Sequence, residues 1–160
     1  MTRNLCIFFN PIITLLKKNV YESAANRIAI KPPVDIFSYR SQLRYKLIKT
    51  SVLNGCIDNH HIIPQQYKDH DIIKKLNYNI NFSYNIKMLA NSNFKKHKCF
   101  IEFPDILIHA GGHSNYNKYV KRNLDEINCL NEDESKYIFW LFHQHLSKSL
   151  DDNCKDIPWN

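Results

Sequence analysis

Asn59-His60-His61-Ile62-Ile63-Pro64 joins two adjacent imidazoles to an apolar pair and a proline, and reads as one short extended segment. Successive side chains of such a segment point to opposite faces, so His60 and His61 cannot do the same job. One is expected to face a buried site and the other whatever lies across from it. A second stretch, His109-Ala110-Gly111-Gly112-His113, offers two more imidazoles spaced for one helical turn. Gly111-Gly112 is poor helix material, which places His109 just before a helix and His113 at its first turn. A divalent cation held by three imidazoles needs neutral ligands brought together from rigid elements, and a strand plus a helix start meets that need. The four histidines together read as a metal site with a base beside it.

Working outward, Asn85-Ile86-Lys87-Met88-Leu89-Ala90 reads as a second short strand, and Gln65 to Asn79 as a polar region holding a short helix. Upstream, Gln42, Leu43, Tyr45, Leu47, Ile48, Val52 and Leu53 recur at three- and four-residue steps. They predict a helix capped by Ser38 and ended by Gly55, with Arg40, Arg44, Lys46 and Lys49 read as its solvated face. Downstream of His113, Tyr116, Val120, Leu124 and Ile127 share one helical stripe, and Lys118, Lys121 and Arg122 fall outside it. A last helix is expected from Asn131 or Asp133 to about Leu150, seated by Trp140, Leu141 and Leu146. The tail beyond Asp151 reads as loose, and His143-Gln144-His145 as surface.

The N-terminal run Leu5 to Leu16 is broken by Asn10-Pro11 and closed by Lys17-Lys18, and it is too short to span a bilayer. A packed arm with a helix over about 11–30, stopped by Pro32-Pro33, is expected there. The domain plan is an N-terminal arm and helix over 1–37, a core over 38–130, and a C-terminal helix and tail over 131–160 packed on that core.

Apolar residues make up 44% of the 160, which is enough for a real core and excludes a disordered chain. An excess of 22 Lys+Arg over 15 Asp+Glu leaves a formal charge of +7, which favours a polyanionic partner, nucleic acid ahead of membrane. Cys6, Cys56, Cys99, Cys129 and Cys154 are scattered, odd in number and without a C-x-x-C pair. A disulfide framework is therefore not expected, and a reducing, intracellular compartment fits better.

His60-His61-Ile62-Ile63-Pro64, then Asn85-Ile86-Lys87-Met88-Leu89, then His109-x-Gly111-x-His113-x-x-Tyr116 resembles the HNH nuclease superfamily. More narrowly it is similar to the AHH branch of the HNH/endonuclease VII group, known from bacterial polymorphic toxins. The resemblance covers roughly residues 40 to 125 and includes the Gln42-Leu43-Arg44 lead-in and Gly55. Asn59 stands where that branch usually has alanine, and Ala90 where it often has proline.

The resemblance implies an α+β fold with a ββα-metal (His-Me finger) core flanked by helices. It implies that His60, His109 and His113 ligate one divalent metal ion, with Zn, Mg, Mn and Ni not distinguished. It implies that His61 is the general base and that Asn85 pins the loop bearing the histidines. The implied activity is metal-dependent endonuclease hydrolysis of nucleic acid, DNA ahead of RNA, leaving a 3′ hydroxyl and a 5′ phosphate. Lys118, Lys121 and Arg122 are the candidate phosphate contacts, and an inhibitor or immunity protein is a candidate partner. Two other readings stay open: a zinc-stabilised nucleic-acid-binding module without catalysis, and a toxin-type nuclease acting on RNA.

Overall fold

The computed structural model describes residues 35, 37–101 and 103–159, apart from the side chain of Cys99. The expected N-terminal arm and its helix lie outside the described residues. The described residues belong to one unit, Val34–Asn160, of α+β architecture.

Three strands form its sheet in the order β1-β2-β3. β1 (Ile57–His61) runs antiparallel to β2 (Ile86–Asn91), with Asn59 opposite Met88 and His60 opposite Lys87. The pairing extends one step further, because Ile62 N donates to Asn85 O at 2.8 Å. β3 is the two-residue strand Ile108–His109, parallel to β2 through Ala90↔Ile108 and Asn91↔His109. His109 is therefore held by a sheet edge, the tighter version of its expected place before the helix.

Helix α1 spans Gln42–Thr50, and its cap is Ser41, whose Oγ accepts from Arg44 N. The expected cap, Ser38, sits three residues too early, and the helix ends before Val52 and Leu53. Leu43, Tyr45, Leu47 and Val52 remain exposed, so the apolar stripe read from the sequence is not what docks this helix. Arg44 docks it instead: Nε donates to Phe37 O at 2.7 Å and Nη1 to Asn59 Oδ1 at 3.3 Å. Gly55 follows with φ +78, a left-handed turn residue feeding β1 rather than a helix stop.

The short helix α2 (Asp71–Lys75) is capped by His70, whose Nδ1 accepts from Ile72 N, so Nε2–H donates to Asp125 at 3.0 Å. Helix α3 (Ser114–Asn128) buries the expected stripe: Tyr116, Val120, Leu124 and Ile127 are all at most 1% exposed. Each such side chain contributes about 1.5–3 kcal/mol on leaving water. Helix α4 (Glu132–Asp151) begins at Asn131, whose side chain accepts from Glu134 N. Phe139, Phe142, Leu146 and Leu150 carry its core face, while Trp140 and Leu141 are half-buried. His143 is buried among Tyr78, Tyr84 and Trp140, contrary to its reading as surface. It lies one residue from Phe142, on the edge of the core face.

The chain beyond Asp151 is not loose. Asn153 and Cys154 both take left-handed backbone, φ 60 and 56, at a cost of about 1 kcal/mol or more each. The turn is held by Cys154 N donating to Ser149 O and by Asn153 Oδ1 accepting from Leu107 N at 2.9 Å. Beyond it, Cys154, Ile157 and Trp159 all join the core.

Asn85 ties these parts together. Its side chain is wholly buried; Oδ1 accepts from Ile63 N at 2.7 Å, and Nδ2 donates to Ile63 O and Ile80 O. Asn85→Ala would strand all three backbone partners in the core. Urea unfolding is expected to show a loss of about 2–4 kcal/mol. A loss below about 1 kcal/mol would show that water can replace the carboxamide.

Candidate metal centre and catalytic histidine

Strand alternation divides the tandem pair as the sequence indicates. His60 is 5% exposed and faces inward, while His61 is half-buried on the other side. The His60 ring lies 5.2 Å from His109 and 5.4 Å from His113, centroid to centroid, and His109 lies 4.8 Å from His113. One ring nitrogen from each of the three lies within 4.8 Å of the others. Among the described residues this is the one group of three or more His, Cys, Asp or Glu side chains so placed. His113 is the residue capping α3, and Gly111 (φ +91) makes the left-handed turn that folds it back towards His109.

The environment of these rings fits a cation. His60 Nε2 and both ring nitrogens of His113 are buried with no hydrogen-bond partner. Buried ring nitrogens left unpaired are costly, and an ion bound by their lone pairs would remove part of that cost. Burial, reinforced by the neighbouring imidazoles, pushes His60 down to about 3 and His113 down to about 4. Both are therefore neutral at physiological pH, the form in which an imidazole can bind a cation. His109 Nδ1 lies 3.4 Å from Asp58 Oδ2, the carboxylate–imidazole pairing that orients a ligand ring.

His61 has different neighbours. Its Nε2 lies 3.2 Å from Asn81 Oδ1, and the Tyr39 ring packs edge-on at 4.4 Å. Tyr39 N in turn donates to Asn81 O at 2.8 Å, so 37–41 and 79–82 are locked around one imidazole. Burial lowers its pKa; the Asn81 contact opposes this, and the charges of Arg40 and Arg44 add to the lowering. Arg40 is exposed, takes left-handed backbone at φ 62, and sets its guanidinium 5.1 Å over the Tyr39 ring.

Arg40, Arg44, Asn81, Asp58 and Trp159 all border the histidines without having been picked out from sequence. Arg40 and Arg44 were legible only as charges on a helix. Asn81 is one asparagine among several, and Trp159 has only its apolar neighbour Ile157 as a signal in a polar tail. The three basic residues of α3 are engaged elsewhere or simply exposed. Lys121 pairs with Asp125 at 2.7 Å, Arg122 lies over the Tyr119 ring, and Lys118 is exposed. The cations acting on His61 come from the α1 side.

Two antiparallel strands followed by a helix, with three imidazoles converging between them, make a ββα-metal core of the kind that defines the HNH nuclease superfamily. Within it, residues 49–138 match AHH, a nuclease family of the HNH/ENDO VII superfamily with conserved AHH, and the chain belongs to that family. No curated protein and no solved structure matches it. Asn59 occupies the alanine position of the motif, and Asn59 Oδ1 is the acceptor that Arg44 uses; an alanine side chain has no such acceptor. As a nuclease, the protein acts on nucleic acid. No helix among the described residues is long and apolar enough to cross a membrane.

The buried imidazoles make stability depend on pH. His60, His113 and His143 (also pushed to about 4) stay neutral in the fold, whereas unfolded imidazoles protonate near 6.5. As pH falls below 6.5 the unfolded chain binds more protons than the folded one, so stability is lost. For the metal-free protein, the urea midpoint is expected to drop steadily between about pH 7 and about pH 4. A flat midpoint across that window would contradict burial of neutral rings.

Proposed function

We propose that the protein is an endonuclease hydrolysing phosphodiester bonds in DNA. In this reading His61 is the general base, and His60, His109 and His113 are the ligands of one divalent cation. The observation that carries it is the division of labour along one strand. Three imidazoles gather, those of His60 and His113 with unpaired buried nitrogens, while His61, next in the chain to His60, holds its ring against Asn81 on the other face.

Asn81 Oδ1 can only accept, so it takes a hydrogen bond from Nε2–H of His61 and leaves the lone pair on Nδ1. That nitrogen takes the proton from the attacking water. The lowered pKa keeps it unprotonated, so activity holds as pH falls towards 6.5 and is lost below, as the imidazole protonates. When bound, the cation supplies Lewis-acid stabilisation of the phosphate and of the departing 3′ oxygen. Products with a 3′ hydroxyl and a 5′ phosphate follow. Neither the base nor the cation calls on a 2′ hydroxyl, so the chemistry admits DNA as substrate.

Arg40 is exposed, its charge acts on His61, and it holds the scissile phosphate, while Arg44 and Asn85 position the strand that bears the histidines. Lys118, Lys121 and Arg122 contact backbone phosphates farther along the substrate. Residues 38–130 make up the nuclease core, and 131–160 close it. The free thiols of Cys56, Cys129 and Cys154 fit a reducing compartment. An acidic inhibitor protein covering the basic approach to His61 is the regulatory partner this reading allows.

Plasmid nicking across Zn, Mn, Ni and Mg tests the assignment. His61→Ala is expected to lower the rate by about 10²–10⁴-fold with folding and bound metal unchanged. Unchanged cleavage would remove His61 from the mechanism. His113→Ala is expected to lose the metal, and stoichiometric metal retained in that variant would count against it as a ligand.

Chelation of the unaltered protein should abolish cleavage and leave the helical circular dichroism largely intact. Unfolding on chelation would instead favour a zinc-stabilised binding module. Assayed in parallel, duplex DNA should be cut faster than structured RNA, and the reverse would favour a ribonuclease.

A further inference from the structure

Leu107 N and the His113 ring both meet the C-terminal segment, at Asn153 and Trp159 respectively. These two points flank the whole second histidine stretch. Leu107 immediately precedes β3, which carries His109, while His113 caps α3. The segment reaches them only through two consecutive residues in left-handed backbone, a conformation retained when the surrounding structure over-determines it.

The Trp159 contact is specific. Its ring stacks on His113 at 4.0 Å with planes 30° apart, and it lies 5.2 Å from His60 and 5.4 Å from Tyr116. A ligating imidazole ordinarily has its second nitrogen held by a carboxylate or carbonyl, which sets the angle of the ring. His109 has Asp58 nearby for that purpose, whereas His113 has no such partner on either nitrogen. A stacked indole restricts the same ring rotation without a hydrogen bond. Trp159 is itself only 9% exposed, so this stack is withdrawn from water.

We infer that Trp159 is a positioning residue of the metal centre, holding the His113 ring in ligating orientation, with 152–159 as a strap that completes the site. The inference rests on the proposed role of His60, His109 and His113 as metal ligands. Residue 159 lies outside the stretch matched by the family, 49–138.

The chain has two tryptophans, which makes the test direct. In Trp140→Phe the remaining indole fluorescence comes from Trp159. Titrating that variant with Ni²⁺, a quencher of a nearby indole, should dim the emission in step with binding followed by calorimetry. Trp159→Ala should weaken Ni²⁺ affinity at least about tenfold, the scale seen when a ligand's outer support is removed. Trp159→Phe, which still stacks, should recover to within about threefold of the unaltered protein.

Equal Ni²⁺ affinity in the Ala variant, or Trp159 emission indifferent to bound Ni²⁺, would overturn the inference and leave the metal site standing. No Ni²⁺ binding by the unaltered protein would overturn the metal reading, and this inference with it. If Trp159→Ala loses its helical signal, the Phe variant and the Trp140→Phe titration still decide the matter.

Discussion

The buried carboxamide of Asn85 is the joint on which the other elements depend. One side chain bonds both the N–H and the C=O of Ile63 and the C=O of Ile80, so three backbone groups that have no sheet partner are satisfied at once. This welds the exit of β1 to the entry of β2 and fixes which way His60 and His61 face. Tyr116, reaching from α3, donates to the carbonyl of the neighbouring Ile62. Strand pair and helix are thus locked at the point where the imidazoles must meet.

Gathering three imidazoles there opposes stability. His60 Nε2 and both ring nitrogens of His113 are withdrawn from water without internal partners, and burial, reinforced by the neighbouring imidazoles, holds those two rings neutral. A core selected for stability alone would place aliphatic side chains in this position. The cost is tolerated where a ligand restores the missing interactions, which is the sense in which a polar cluster without partners marks a site. The surrounding supports fit the same account. Asp58 lies beside His109, Trp159 stacks on His113, and Asn81 with Tyr39 holds His61 apart from the other three.

Legibility from sequence followed the range of the interaction. The α3 stripe, the Asn131 cap and the opposite facing of His60 and His61 are local consequences of helical and strand periods, and each could be read from neighbouring residues. The α1 cap was misplaced because Ser38 and Ser41 both suit the role, and a docking contact selects between them. Arg44 looked like surface charge because its acceptors, Phe37 O and Asn59 Oδ1, converge only on folding. His143 looked like surface for a similar reason: the Tyr78 and Tyr84 rings that bury it come from a different part of the chain.

By itself the sequence determined the inventory: a tandem pair on an extended segment, a second pair at a helix start, and an asparagine at the head of the second strand. Periodicity and side-chain chemistry are properties of short windows, and they suffice for that much. The convergence of 60, 109 and 113 was implied by the family resemblance and is realised by the tertiary structure, which alone decided that Arg40 and Asn81 flank His61 and that a tail expected to be loose closes over His113. Those relations span from 20 to more than 40 positions. At such separations only the packing of the core brings side chains together, and no local pattern records it.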